Sequence, residues 1–555
     1  MSGEADRQIK IASTPGSGPL GFVDDGFLGW RGLVVAVLAA VLMRTAWIGD
    51  DAMISLHQVR LLVAGEGMVW NPGVRVQAFT HPTWFGVLSL AHLITGALFW
   101  PAILLGAGFT IGAVLLLWSF AREHVVFTGA GATLLALSVL LSRGFVDYGT
   151  SGLENGLSFF LAAIAVWLVS FRPIGVWIWV VLALLVLNRL DHAVLFGPLA
   201  LVLLATAWRE GRIWTVLPGL ALIVGWLAFA TIYFGSPFPN TFYAKLAAGQ
   251  SIAERLNNGV FYINDAFERD GFTPGMILLG IVAGFQRGGM ARFLALGCML
   301  HLAYLVWIGG DFMRGRFLAV PFLVSLFLIA SAMTPVKLRA WGVALAGAAL
   351  LLGHPPPLDQ DYHHHTVIGG IADERGFYFQ RYGLTAPAAE LPRVPEGSFA
   401  TAQPQVAWIG CGGIGHSRFS ATPKAFLIDS CALADPFLAR LPVPKGLPQR
   451  IGHASRLLPA NYGAVVTGKA SPSAGAALYD ETMLIAAGPI WSSERLAAIG
   501  RRLIGMGESA PEIFRTGGSR DLIFIESLSA VPWYEAVANA NSRPRGGSSL
   551  PQSER

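Results

Sequence analysis

Asp50 and Asp51 stand side by side in WIGDDAMISLHQVR (47–60), where a long apolar segment stops. A carboxylate at a bilayer edge is costly unless it is solvated, paired or used. Adjacent carboxylates on a helix point about 100° apart, so the two need not share one task. One can face a reacting centre while the other caps the helix expected at 51–64 or holds a cation. The plain alternative is that both only cap that helix, which acidic residues do well. Candidate anion ligands lie farther along: Arg189, Arg314 and Arg316, whose planar forks suit phosphate oxygens, and Lys245. Arg60 joins them or pairs with Glu66. The ordinary alternative for Arg314 and Arg316 is snorkelling to lipid headgroups.

The elements that must position these groups follow from composition. The chain has 555 residues, 54% hydrophobic and 13% charged, against about 25% charged in a typical soluble domain. Mean hydropathy is +0.55. This is the composition of a polytopic α-helical membrane protein. The net charge of +5 does not point to nucleic acid, because many basic residues sit in short turns between apolar runs, where they set membrane orientation.

Eleven spans are expected, near 28–47, 101–121, 125–142, 156–171, 174–188, 192–208, 213–234, 273–286, 291–308, 316–333 and 340–353. The stretch 83–99 is apolar too, but Pro82 and Pro101 bracket it and His92 interrupts it. It is read as a non-spanning helix within a first loop over 49–100. With the N-terminus in the cytoplasm, Arg122, Arg172, Arg209, Arg212, Arg287, Arg292, Lys337 and Arg339 then fall inside, as the positive-inside rule expects. The same choice collects five polar stretches on the outer face: the opening one, FVDYGTSGLEN (145–155), LNRLDH (187–192), GSPFPNTFYAK (235–245) and GGDFMRGRF (309–317). Irregular polar backbone at membrane depth is tolerated where it lines a cavity, so one outward-facing site is expected. Residues 1–27 are expected to be a disordered cytoplasmic segment. The first apolar run lacks an A-x-A-like exit and reads as a retained anchor.

After the membrane region (28–353) the chain changes character. Residues 354–535 read as an extracytoplasmic α/β domain and 536–555 as a disordered tail. VAWIG (406–410), AFLID (425–429) and RDLIFIE (520–526) read as strands, and SSERLAAIGRRLIGMG (492–507) as an amphipathic helix capped by Ser492 or Ser493. GCGGIG (410–415) fits a dinucleotide fingerprint, with Asp429 at the expected distance. HSRFSATPK follows where a helix should receive the pyrophosphate, so no dinucleotide is expected and the run reads as a turn permitting close approach. Cys411 and Cys431 follow two neighbouring strands, and both a disulfide and two free thiols remain open; Cys298 lies mid-span and packs. His363, His364 and His365 are consecutive and cannot all face one ion.

DDAMISLHQVRLLVAGEGMVWNPGVRVQAFTHPTW resembles the first extracytoplasmic loop of GT-C glycosyltransferases of the mycobacterial terminal β-(1→2) arabinofuranosyltransferase type. SGLEN, FGSPFPNTFYAK, GGDFMRGRFLAVP, GIADERGFY (370–378) and ETMLIAAGPIWSSERLAAI (481–499) match further stretches of that family in the same order. The resemblance implies a plasma-membrane enzyme moving a sugar, with arabinofuranose as the family example, from a polyprenyl-phosphate donor to a cell-envelope glycan on the outer face. It makes Asp50 and Asp51 the candidate catalytic pair, and Arg189, Lys245, Arg314, Arg316 and Arg60 candidate donor-phosphate ligands. His57, His81, Glu154, Asp191, Asn240, Tyr243, Asp311 and His453 become candidate sugar or acceptor contacts. No cofactor is required; if a divalent cation neutralises the leaving phosphate, Asp50 and Asp51 are its candidate ligands. The family's T-R-P-[DE]-G stretch is here NRLDH, with Leu190 and His192, and its EGYTNP is QAFTHP, with Gln77 and His81. These departures keep another polyprenyl-phosphate sugar, an aminopentose or hexose, as the alternative. A polysaccharide transporter is the rival of another class, but the internal repeats usual in transporters are absent from the sequence.

Overall fold

The computed structural model describes residues 27–125, 129–246, 249–333, 367–386, 407–421, 425–444, 453–517, 519–525 and 531–542. The expected span at 340–353, the run His363–His365, residues 1–26 and the end from 543 lie outside them. The first half is helical: α1 (Phe27–Thr45), α2 (Asp50–Val63), α3 (Pro82–Thr95), α4 (Phe99–Val125), α5 (Gly129–Leu137), α6 (Arg143–Tyr148), α7 (Asn155–Phe171) and α8 (Val176–Asn188). There follow α9 (His192–Arg209), α10 (Leu217–Phe234), α11 (Asn240–Leu246), α12 (Ile252–Asp270), α13 (Phe272–Arg287), α14 (Ala291–Ile308) and α15 (Ala319–Ala332).

Ten of the expected apolar stretches form helices, namely α1, α4, α5, α7 to α10 and α13 to α15. Among the described residues, four segments are long and apolar enough to cross a membrane on their own: Phe99–Glu123, His192–Arg209, Ile213–Phe234 and Ala291–Ile308. The expected non-spanning stretch is α3, which starts on Pro82 and stops at a left-handed Gly96 after 14 residues. It docks on the site-side end of α8, where its Thr83 hydroxyl donates to the Leu184 carbonyl and its Trp84 N–H to Asn188. Helices approach closely where glycine removes the side chain. A Cβ on Gly297 would stand 1.8 Å from the Leu195 carbonyl oxygen, joining α14 to α9, the small-residue contact that membrane helices favour.

The basic turns and the polar loops sit at opposite ends of this bundle. Arg31 and Arg122 both lie over Trp118, at the far end of α1 and α4. At the other end the Gly49 N–H donates to the Ser151 carbonyl, Glu154 pairs with Arg189 and Arg316, and the Asn240 N–H donates to the Gln77 carbonyl. The five polar stretches therefore meet.

The C-terminal residues add short strands: β1 (Val367–Ile368), β2 (Ile371–Ala372), β3 (Ala407–Gly410), β4 (Phe426–Asp429), β5 (Leu457–Pro459), β6 (Leu522–Phe524) and β7 (Val531–Pro532). The order β4-β3-β7 makes one sheet, with β3 and β4 parallel, and β5 pairs with β6. The three expected strands are present, but RDLIFIE supplies β6, which joins the separate pair and not the sheet of β3 and β4. The expected amphipathic helix runs Ser493–Leu503, and the Ser492 hydroxyl accepts from the Arg495 N–H as its cap.

Cys411 and Cys431 form a disulfide that links the ends of β3 and β4, 20 residues apart in sequence. Cys298 is free and buried. Closing a loop of that length stabilises by about 3 kcal/mol. Replacing Cys411 with Ser should therefore make the region around β3 and β4 the first to lose protease protection on heating, and reductant should do the same to the unmodified chain.

Candidate active site

A cavity of about 220 Å³ opens where the polar loops meet. Asp51 and Ser55 of α2 line it, with His81, Arg189, Asp191, Lys245, Asp311 and Arg316. Tyr304, Phe312 and Phe317 supply apolar wall, and Leu433 of the C-terminal part closes one side.

The frame of the cavity is Glu154, the residue before α7. It is fully buried and does not reach the cavity itself. Its carboxylate accepts from Arg189 at 2.7 Å and from Arg316 at 2.9 and 3.0 Å, and lies 3.3 Å from His81 Nδ1. Burial opposes its ionisation, but Arg316, His81 and Arg189 outweigh that and hold the carboxyl well below the usual range. Arg189 is held a second time by Asp191, at 2.9 and 3.4 Å, and lies over the Phe317 ring at 4.1 Å. The Arg316 Nε is buried with no hydrogen-bond partner among the described residues, and its Nη1 approaches Asp51 at 3.6 Å. Asp311 also carries a buried oxygen on the cavity wall that meets no hydrogen-bond partner among the described residues. His81 is turned by Ser55, 2.8 Å from Nε2, and burial lowers its pKa to about 4 despite Glu154, so the imidazole is neutral at physiological pH.

The two aspartates diverge. Asp50 is buried and turned to the C-terminal part. Its carboxylate accepts from the backbone N–H groups of Gly415 at 3.1 Å and His416 at 2.8 Å, and from His416 Nδ1 at 2.9 Å. Burial alone would raise its pKa, but these partners, led by the His416 side chain, lower it instead. Asp51, one position on, faces the cavity. Burial pushes its pKa up to about 6, against the pull of Arg316. The two carboxylates therefore face different partners, and among the described residues no group of three His, Cys, Asp or Glu side chains converges on one point.

The contact at Asp50 also explains GCGGIG. A helix does follow it, Ile414–Ser420, contrary to the sequence expectation. Its N-terminus receives the Asp50 carboxylate in the place a pyrophosphate would take. A Cβ on Gly415 would fall 2.0 Å from the Asp50 carbonyl oxygen, so the glycine lets this helix lie against α2. His416 stacks on Tyr382 at 3.7 Å and on Tyr378 at 5.0 Å, which in turn stacks on Trp47.

Several expected site residues lie elsewhere. His57 is buried against the Trp70 carbonyl and Arg60, and Arg60 donates to the Phe419 carbonyl from above that ring. Both face the docked C-terminal helix. Arg314 forms a bidentate pair with Asp265, at 2.8 and 3.1 Å, outside the cavity. Gly315, at φ 72°, turns the chain between Arg314 and Arg316. The Asn240 amide donates to the carbonyls of Ala432, Leu433 and Asp435, and Tyr243 lies under the Arg440 guanidinium. His453 lines a neighbouring cavity of about 440 Å³, edge-on to Phe312. That cavity shares Phe242, Lys245, Tyr304, Phe317 and Leu433 with the first. Ser55, Thr80, Thr241, Tyr304 and His416 escape a sequence reading, because none stands in an unusual sequence setting; Ser55 and His416 gain their places from His81 and Asp50, distant in sequence.

No family model matches the chain. It is similar to the terminal beta-(1->2)-arabinofuranosyltransferase of Mycobacterium tuberculosis (strain ATCC 25618 / H37Rv), with 29% identity over 412 residues, 61% of this chain and 64% of that protein. The protein of the same name in Corynebacterium glutamicum is 28% identical over 350 residues, 53% of this chain and 49% of the other. The chain thus spans less than two thirds of these curated relatives. Among solved structures, ArnT from Cupriavidus metallidurans bound to undecaprenyl phosphate matches with a TM-score of 0.43 and 17% identity, covering 58% of this chain and 63% of that one.

Removing the frame should cost more than removing a cavity group. Glu154→Ala leaves Arg189 with Asp191 and Arg316 with the longer Asp51 contact, and losing one side of a buried ion pair costs about 3–5 kcal/mol. Asp51→Asn breaks one longer, partly exposed pair and should change stability by less than about 1 kcal/mol. Thermal unfolding of both variants in detergent checks the contrast.

Proposed function

We propose that the protein transfers a sugar, arabinofuranose as in the relatives' names, from a polyprenyl-phosphate donor to a cell-envelope glycan acceptor. The reaction takes place on the outer face of the plasma membrane, with the N-terminus cytoplasmic and the C-terminal α/β part outside. One observation carries this reading: a single cavity pairs a poised carboxylate, Asp51, with Arg316 and Arg189, both oriented by the buried Glu154.

Transfer from a lipid phosphate needs an activated nucleophile and neutralisation of the leaving phosphate. Arg316 and Arg189 supply fixed positive charge, held before substrate arrives, and Lys245 adds a charge without an ion-pair partner among the described residues. Fixed charges of this kind stabilise developing negative charge without reorganising at the moment of reaction. Asp51 stands beside them and acts on the acceptor hydroxyl or on the anomeric carbon. In either role it must be ionised. Asp191 and Asp311 line the same wall and suit sugar hydroxyls. His81 is kept neutral; its Nδ1 faces Glu154 and its Nε2 faces Ser55, so it ties Ser55 on the cavity wall to the buried frame.

The test is purified protein supplied with polyprenyl-phosphoryl arabinofuranose and an arabinan-like acceptor, followed by acceptor elongation. Asp51→Asn should lower turnover by about 10²–10⁴-fold with the fold intact, whereas Asp50→Asn should weaken the docking of helix Ile414–Ser420 before it touches chemistry. Full turnover in Asp51→Asn sinks the assignment. Because the Asp51 pKa is about 6, turnover should be flat above that pH and fall on acidification below it, as the carboxylate takes up its proton. A profile level down to pH 5 speaks against this role.

A further inference from the structure

Helix Ser493–Leu503 carries two unlike faces. Its packed side buries Arg495, Ala498 and Ile499. A second side, at the i, i+7, i+8 spacing of one helix stripe, leaves Leu496, Leu503 and Ile504 bare to the outside. Exposed apolar side chains stand on both flanks of the helix as well: Trp491 is 74% exposed and Met506 70%. Monomeric soluble surfaces seldom gather so many large apolar side chains without a partner.

The position of the helix says what the partner is. The Arg495 guanidinium donates to the Tyr233 carbonyl at 3.0 Å, in the last turn of α10. The place of a Cβ on Gly235, the residue ending α10, is filled by Ile485, with Ile499 close by. Arg75 adds a rivet, lying over the Tyr233 ring while its backbone N–H donates to the Ala486 carbonyl at 3.0 Å and its guanidinium to the Gly488 carbonyl. The segment Ile213–Phe234 is one of the four long enough to cross a membrane, and Leu220, Val224 and Phe229 are exposed along it. The bare stripe is thus fastened to the point where that helix leaves the bilayer, on the cavity side.

We propose that Trp491–Met506 is a membrane foot, whose apolar stripe lies in the outer leaflet beside α10 and holds the C-terminal part down on the cavity. Helices of this kind rest in the interface plane, and tryptophan favours that level. On the other exposed flank, Glu494 and Arg501 stay in water or meet headgroups. The foot rests on α10 being a membrane crossing and does not depend on the reaction catalysed.

Spin labels on single added cysteines in the full chain test it, in nanodiscs of phosphatidylethanolamine and phosphatidylglycerol. Cys298 is buried and the other two cysteines are bonded, so Leu496→Cys, Ile504→Cys, Arg501→Cys and Leu222→Cys each present one reactive thiol. Labels at 496 and 504 should be reached by dissolved oxygen in preference to a water-soluble nickel chelate, at a depth of about 5–10 Å. The label at 501 should show the reverse, and the label at 222 should lie deep in lipid. Water exposure at 496 and 504 with 222 in lipid overturns the foot alone, and water exposure at 222 as well removes the membrane crossing with it. Dipolar coupling between labels at 504 on two chains assigns the stripe to a second copy and overturns the lipid reading.

Discussion

The arrangement of the cavity depends on one buried carboxylate meeting two arginines. Glu154 comes from the start of α7, Arg189 from the turn after α8, and Arg316 from the loop after α14. A charge taken out of water must find its opposite, so these three segments have one relative placement that satisfies them. That placement turns two guanidinium groups toward the cavity. The helices around it are also closely packed by glycine contacts, such as Gly156 against Gly106 and Gly297 against Leu195. Glu154 chooses how their ends face.

A second fixed contact closes the cavity from the other side. Asp50 binds the N-terminus of helix Ile414–Ser420 and the His416 ring, and Asn240 draws in three carbonyls of the Ala432–Asp435 turn. Leu433, in that turn, then becomes cavity wall. The disulfide of Cys411 with Cys431 braces the chain between these two docking points. The C-terminal part is therefore built into the cavity, and the helix at its far edge, held by Arg495 and Arg75, anchors it beside α10.

Much of the membrane region was legible in the sequence. Hydropathy and charge are local properties, and ten of the expected apolar stretches are helices at nearly the expected bounds. The five polar stretches that the expected crossing count places on one face do gather at one end of the helices. Candidate site residues were less legible. Asp51, His81, Arg189, Asp191, Lys245, Asp311 and Arg316 line the cavity, but His57, Arg60, Arg314, Asn240 and Tyr243 do not. Arg314 and Arg316 differ by two positions and share one chemistry. Asp265 on α12 and Glu154, both remote in sequence, hold them in different places.

The sequence by itself determined that this is a membrane chain, where its helices run, and that two adjacent carboxylates open a polar face. Those features follow from side-chain hydrophobicity and helix length, which need no distant partner. The tertiary structure decided the division between the two carboxylates. A rotation of about 100° per residue along a helix sends Asp50 to a glycine-rich turn some 365 residues later and Asp51 to Arg316. Neither partner is visible locally, because ion pairing and close backbone approach are set by distance in space.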